Sequence, residues 1–321
     1  MPIVRVGTFN VENLFARFKF NEGIDPEQVV KDGWKAEEQF FEIDEEESKR
    51  LTAQVILNLN ADILGLQEVE NLDTLKRFRD SYLGGRTAYP YTVVLDGNDR
   101  RLIDVALLSR YPITHIRSYQ DLWVPEWNAP LFSRDCLETD VLIDGVGSLT
   151  LFVNHFKSMA PPSGSDPCQG RHLTQFIRSK QSKTVRDIVK NRFEENIESS
   201  RFIILGDLND YLETDLQGGS GITELVQWNM VENIIDRLPE NERWTHFWRG
   251  RSDCGISPVY RQLDYLLLSP TLSQAVQGDP YIERRGQPGR ATRYSGPRFD
   301  NVGFDRPKAS DHCALAVDLK L

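Results

Sequence analysis

A chain of 321 residues, 40% of them hydrophobic and 27% charged, holds enough apolar material for a large core and needs no unusual staple. Its net charge of −10 and pI of about 5.1 exclude a general polyanion binder, so any grip on nucleic acid must come from a local basic surface or from bound cations. No segment reaches the length of an apolar membrane span, and the opening run MPIVRVGTFNVENLF lacks a signal-peptide pattern, which reads as a cytoplasmic protein, or a secreted one whose leader has been removed.

Taken in chain order, residues 2–11 read as a strand running into a loop. Residues 18–41 read as an irregular insertion punctuated by Gly23, Pro26 and Gly33. Over 44–60 the apolar positions Leu51, Val55, Ile56 and Leu59 recur at helical spacing behind an acidic start. A short buried strand follows at 61–69, and a helix at 71–82. Strands are predicted at 91–95, 104–109, 139–143 and 149–154, then a Pro/Gly/Ser loop at 158–171. A long helix is predicted over 172–198, with Arg178, Lys180, Lys183 and Arg186 on a solvated face. Strands at 201–205, 263–268 and 314–319 complete the chain. Strands alternating with helices indicate α/β layers, and the lack of a linker indicates one domain over residues 1–321.

The four cysteines, Cys136, Cys168, Cys254 and Cys313, show neither a CxxC pair nor zinc-ligand spacing. Reduced thiols are expected, with a disulfide from Cys168 as the alternative.

Weak internal echoes run through the chain. Gly7-Thr8-Phe9-Asn10 is matched by Gly206-Asp207-Leu208-Asn209, the run from Asp104 to Ser109 by the run from Asp264 to Ser269, and Asn154-His155 by Asp311-His312. The aspartate and histidine stand 51 residues apart in the first half and 48 in the second. Three echoes in one order suggest two similar halves, each ending in a histidine with an aspartate upstream.

Asn10, Glu68, Asn154, His155, Asp207, Asn209, Asp311 and His312 all sit at the ends of apolar runs or in the turns beside them. Strand ends in layered α/β folds converge on a crevice. Oxygen donors suit Mg²⁺ or Mn²⁺, with Ca²⁺ also admissible, better than zinc. His155 and His312 differ from His115, His172 and His246, which read as packing or surface residues. A carboxylate bonded to one ring nitrogen fixes the tautomer and raises the basicity of the other. Two such units across a phosphodiester would supply an acid and a base.

The runs Thr8 to Leu14, Leu66 to Asn71, Gly206 to Asn209, Gln262 to Tyr265 and Ser310 to His312 resemble, in order, the motifs of the endonuclease/exonuclease/phosphatase superfamily. Phe132 to Asp135 and Val153 to Ser158 are similar to its pancreatic-type deoxyribonuclease and bacterial extracellular-nuclease branch. The matches span nearly the whole chain, and together they are specific. The resemblance implies a four-layer α/β/β/α sandwich of two mixed sheets with outer helices and the site at one end. It implies Glu68 as principal metal ligand, Asn10 and Asp311 beside it, and Asp207 and Asn209 binding a second metal or orienting nucleophile and phosphate. His312, held by Asp264, would act as base or phosphate-binding acid, with His155 opposite. Arg134 would hold a phosphate oxygen, with Asn154 and Lys157 nearby. Asp104 enters as the partner of His155 through the internal echo alone. Asn71 is a candidate substrate contact, and Glu12 reads as structural.

Residues 283–308 carry seven basic residues, Arg284, Arg285, Arg290, Arg293, Arg298, Arg306 and Lys308, against three acidic ones. A positive loop at the rim would hold a polyanionic strand. The expected function is therefore divalent-metal-dependent hydrolysis of DNA phosphodiesters as an endonuclease, with no obligate protein partner. The rivals are an enzyme of small or lipid-linked phosphoesters and a non-catalytic binding module of the same fold. Retention of the whole ligand set argues against the binding module.

Overall fold

In the computed structural model, residues 1–20, 41–43 and 45–321 are described. Alternating side chains build the first sheet. Its members are β1 (Ile3–Leu14), β2 (Ile63–Val69), β3 (Tyr91–Val94) and β4 (Asp104–Ser109), which two late strands complete. The second sheet starts with β5 (Ile113–Arg117), β6 (Cys136–Ile143), β7 (Gly147–His155), β8 (Phe202–Asp207), β9 (Glu232–Asn233) and β10 (Asp264–Leu268). The chain then returns to the first sheet through β11 (Val276–Glu283) and β12 (Ala314–Lys320).

The strand orders are β11-β12-β1-β2-β4-β3 and β9-β10-β8-β7-β6-β5. Each sheet has one parallel pair at its centre, β1 with β2 and β7 with β8, and the remaining pairs are antiparallel. The two sheets are thus mixed, six-stranded and alike in plan, as the internal echoes suggest.

Three apolar layers follow from the period of two along each strand. Val4, Val6, Ile63, Val105 and Leu107 face Leu151, Val153, Ile203, Leu205 and Leu266 between the sheets. Phe9, Leu64, Leu66, Ala106 and Leu108 turn outward under helices α1 (Glu46–Leu59) and α2 (Leu72–Tyr82). Phe152, Phe202, Ile204 and Leu267 turn outward under helix α3 (Gly170–Phe193), which contributes Val185, Ile188 and Val189. The expected α/β sandwich of two mixed sheets with helices outside is the architecture observed.

Several expectations need correction. β5 and β11 lie in stretches not assigned to strands; β5 is an edge strand whose residues are largely exposed and lack an apolar face. Helix α3 starts two residues early and ends at Phe193, followed by a 3₁₀ turn at Glu194–Asn196. Arg178 is not on a solvated face. It is fully buried, and with Arg171 it clamps the buried Asp210, each guanidinium Nε lying 2.8 Å from one carboxylate oxygen. The cysteines are not all reduced: Cys168 and Cys254 form a disulfide, while Cys136 and Cys313 are free and buried. The insertion expected at 18–41 lies mostly outside the described residues; its ends, Phe18–Phe20 and Phe41–Ile43, pair antiparallel.

Candidate active site

Strand parity decides which polar residues meet. Asn10 continues the inward series Val4, Val6 and Thr8 of β1. His155 continues Leu151 and Val153 of β7, and Asp207 continues Ile203 and Leu205 of β8. Asp264 begins β10 on the face of Leu266 and Leu268. Glu68 would fall on the outward face of β2 with Leu64 and Leu66. A bulge prevents this: Glu68 has φ 68°, and the pairing with β4 slips between Gln67 and Val69. Bulges re-aim side chains in this way, and here the carboxylate enters the cleft. Gly206, at φ +128°, permits the close approach of β7, since a Cβ there would lie 2.0 Å from the Asn154 carbonyl oxygen.

The result is a polar cluster between the sheet ends, with Asp207 Oδ2 at its centre. That oxygen accepts from Asn10 Nδ2 at 3.1 Å and from Asn209 Nδ2 at 2.8 Å. His155 Nε2 lies 3.4 Å from it and His312 Nε2 lies 3.8 Å from it. Asn10 Nδ2 also reaches Glu68 Oε1 at 3.3 Å, and the Asn13 backbone N–H donates to Glu68 Oε2 at 3.0 Å. His312 Nδ1 lies 2.8 Å from Asp264 Oδ2, which also accepts from Thr245 Oγ1 at 2.7 Å. Ser310 Oγ donates to the Asn10 carbonyl and accepts from the His312 N–H, which docks the last motif against the first.

Charge follows burial and partners. Burial opposes protonation of His312, but the Asp264 and Asp207 carboxylates outweigh it and hold the imidazole well above its ordinary range. Burial, with Arg134 and His312 adding to it, holds His155 well below that range. Burial pushes the Asp207 carboxyl upward; His312 opposes the shift and Asp264 adds to it. A cation would relieve this crowding. Glu68 and Asp207 supply carboxylate oxygens held by one Asn10 amide, and such a donor set fits Mg²⁺ or Mn²⁺. Among the described residues, two groups also bring ligand atoms within 4.8 Å of one another: Asp207, Asp264 and His312; and His246, Asp311 and His312.

Other expected residues lie elsewhere. Asp104 does not pair with His155. It shares parity with the outward-facing Ala106 and Leu108, so the echo with Asp264 is out of phase by one residue, which reverses the face. Its Oδ1 accepts from the Gly97 N–H at 2.8 Å, and His155 Nδ1 has no hydrogen-bond partner among the described residues. Asn154, next to His155, points to the opposite face and donates to the Phe152 carbonyl. Arg134 is buried and already committed: it bonds Asp99, Ser133 Oγ and the Phe156 carbonyl, which also accepts from Asn209. It therefore braces the wall of the site. Lys157 Nζ bonds Ser158 and the Ala160 carbonyl, and burial followed by Arg134 brings its pKa down to about 8. Asn71 caps α2 through the Thr74 N–H.

Asp311 makes no hydrogen bond to Glu68 or Asn10. Its carboxylate faces His246, at 3.7 Å. His246 was read as a packing or surface residue, yet its ring centroid lies 4.6 Å from that of His312, the two planes tilted by 51°. Thr245 precedes and His246 begins a hairpin strand, His246–Trp248, without a motif of their own, and only the fold brings them to the cleft.

The basic loop is mostly spent on the protein itself. Arg285 pairs with Glu283, Arg290 with Asp305, and Arg306 and Lys308 with Glu12. Arg284 and Arg298 bond backbone carbonyls. Arg293 has no ion pair among the described residues and lies over the Tyr260 ring.

Comparison with known proteins agrees with this geometry. A model of the Endonuclease/Exonuclease/phosphatase family matches residues 5–235. Comparison with curated proteins yields no match. Among solved structures, an endonuclease/exonuclease/phosphatase from Beutenbergia cavernae is 16% identical, with a TM-score of 0.60 over 99% of this chain and 72% of its own. Beta toxin from Staphylococcus aureus is 16% identical, with a TM-score of 0.58 over 98% of this chain and 99% of its own. TDP2 from D. rerio, complexed with a single-strand DNA product, is 14% identical, with a TM-score of 0.57 over 99% of this chain and 100% of its own. At such identities these structures speak for the fold. The family model covers well over half of the sequence, and the chain belongs to the Endonuclease/Exonuclease/phosphatase family.

Proposed function

We propose that the protein is a divalent-metal-dependent phosphodiesterase that cleaves nucleic acid, DNA in the first instance, as an endonuclease. One observation carries the reading: two imidazoles, one ending β7 and one on the approach to β12, converge on the Asp207 carboxylate beside Glu68. Glu68 and Asp207 would hold the cation, with Asn10 keeping their oxygens in place. Once bound, it would offset charge on the phosphoryl group and on the leaving oxygen. Asp264 fixes the tautomer and direction of His312, so that Nε2 faces the cleft. A phosphate seated over Asp207 then meets His312 on one side and His155 on the other, which places one group to hold a proton for the leaving oxygen and one to take a proton from water. Asn209, tied to Asp207 and the Phe156 carbonyl, keeps the turn rigid. The TDP2 complex with DNA supports a nucleic-acid substrate by analogy of fold.

A second reading, hydrolysis of a small or lipid-linked phosphoester, is favoured by the internal pairing of the rim arginines, which removes much of the expected grip on a strand. Rates on supercoiled plasmid and on a generic bis-aryl phosphodiester, measured across a salt series with Mg²⁺, separate the two. A nuclease prefers the plasmid and loses rate with salt; preference for the small diester with a flat salt response defeats the nuclease reading.

A further inference from the structure

We propose that His246, Asp311 and His312 form a binding site for a borderline transition-metal cation, Zn²⁺ being the test case, at the mouth of the cleft. One ligand atom from each of the three lies within 4.8 Å of the other two. His246 Nε2 is 3.7 Å from Asp311 Oδ2, and the two imidazole centroids are 4.6 Å apart. Donor atoms around tetrahedral zinc stand about 3.3 Å apart, given metal–nitrogen bonds of about 2.0 Å, so small side-chain rotations close the site.

The backbone holds the ligands in register. His246 and His312 form an antiparallel bridge; the Phe247 N–H donates to the Asp311 carbonyl and the Cys313 N–H to the Thr245 carbonyl. The hairpin strand and the last motif are thus locked side by side. Asp311 is the most exposed of the three, which leaves the solvent side open for a water ligand. Two imidazoles and one carboxylate select zinc-like cations over Mg²⁺, which prefers an all-oxygen shell. Asp264 already supplies the carboxylate partner that orients a metal-bound histidine.

Occupancy would disable His312 for hydrolysis. Ligation through Nε2 displaces its proton and occupies the nitrogen that faces Asp207, and ligation through Nδ1 breaks the bond to Asp264. Zinc is therefore an inhibitor whose site is distinct from the Glu68–Asp207 cation site. This consequence, though not the binding itself, rests on the proposed role of His312.

The test is Zn²⁺ titration by calorimetry into the full chain, with Co²⁺ absorption as a second readout, for the wild type, His246→Gln, Asp311→Asn and Glu68→Gln. The expected result is one Zn²⁺ per chain, with affinity falling on the order of 100-fold in His246→Gln and Asp311→Asn, and unchanged in Glu68→Gln. Circular dichroism of each variant shows that it is folded. Absence of zinc binding to the wild type, or equal affinity in folded His246→Gln, overturns the site. Zinc binding that depends on His246 but leaves Mg²⁺-dependent cleavage unaffected preserves the site and overturns its inhibitory role. Binding without any measurable hydrolysis preserves the site and counts against the proposed function instead.

Discussion

His312 Nδ1 lies 2.8 Å from Asp264 Oδ2, and this bond ties a residue two before β12 of one sheet to the first residue of β10 in the other. The two are 48 residues apart in sequence, yet both are buried at the same end of the sandwich. The bond sets the tautomer of His312, and the account predicts that Asp264→Asn lowers kcat roughly a thousand-fold with the fold intact. Steady-state kinetics beside a circular dichroism spectrum check this. An unchanged kcat would remove His312 from the chemistry.

Asp104 is assigned a structural place, with a pH signature. Burial, together with Asp96 and Asp99, raises its carboxyl from 3.8 to about 6, against the opposing Gly97 N–H. The folded chain therefore holds this proton more tightly than the unfolded chain. Its ionisation costs stability as pH rises from about 4 to about 6, and the cost stays constant above that. Asp104→Asn keeps an acceptor for Gly97 and is expected to gain roughly 1–2 kcal/mol at pH 7 and nothing below pH 4. Urea unfolding at the two pH values measures it. Catalytic activity should not change.

The Cys168–Cys254 bridge closes a loop over a sequence separation of 86 residues, joining the Pro/Gly/Ser loop beyond His155 to the hairpin that carries His246. Replacing both cysteines by serine should cost about 2–4 kcal/mol, seen as a lower midpoint in denaturant. An unaltered midpoint would show that the bridge does not constrain the unfolded chain.

Among the described residues the Arg293 side chain has neither an ion pair nor a hydrogen bond and lies over the Tyr260 ring, so of the loop's arginines it is the one free to meet a phosphate. If the substrate is a nucleic-acid strand, Arg293→Gln should reduce the slope of log KM against log salt by about one, uniformly across sequences. Arg298→Gln should lower stability instead, because its guanidinium serves the carbonyls of Gln287, Ala291 and Tyr294. An equal salt slope in wild type and Arg293→Gln would remove Arg293 from the interface.

Much of the site was legible because polar residues that end apolar strands stand out by position. Asn10, His155 and Asp207 each continue an inward-facing series, Asp264 opens one, and the fold brings His312 to them from the approach to β12. Glu68 owes its orientation to a bulge, which local sequence does not announce; only the family motif marked it. The echo misled at Asp104 because similarity of DVALLS and DYLLLS carries no information about phase, and a one-residue slip reverses a strand's face. Arg134 read as a phosphate grip and Arg178 as a surface charge because their partners, Asp99 and Asp210, are remote in sequence. The basic loop misled for the same reason, since a count of charges omits the acids that neutralise them from other segments, such as Glu12. His246 and the disulfide depend on the hairpin at 246–261, whose position is set by tertiary packing.

The most direct test of the central claim is nicking of supercoiled plasmid by the purified protein in Mg²⁺ or Mn²⁺, with EDTA, Glu68→Gln and His312→Ala run in parallel. The account predicts metal-dependent nicking that EDTA abolishes and that falls at least about a hundred-fold in each variant. Nicking that persists in EDTA, or that proceeds at the wild-type rate in folded His312→Ala and Glu68→Gln, would contradict it.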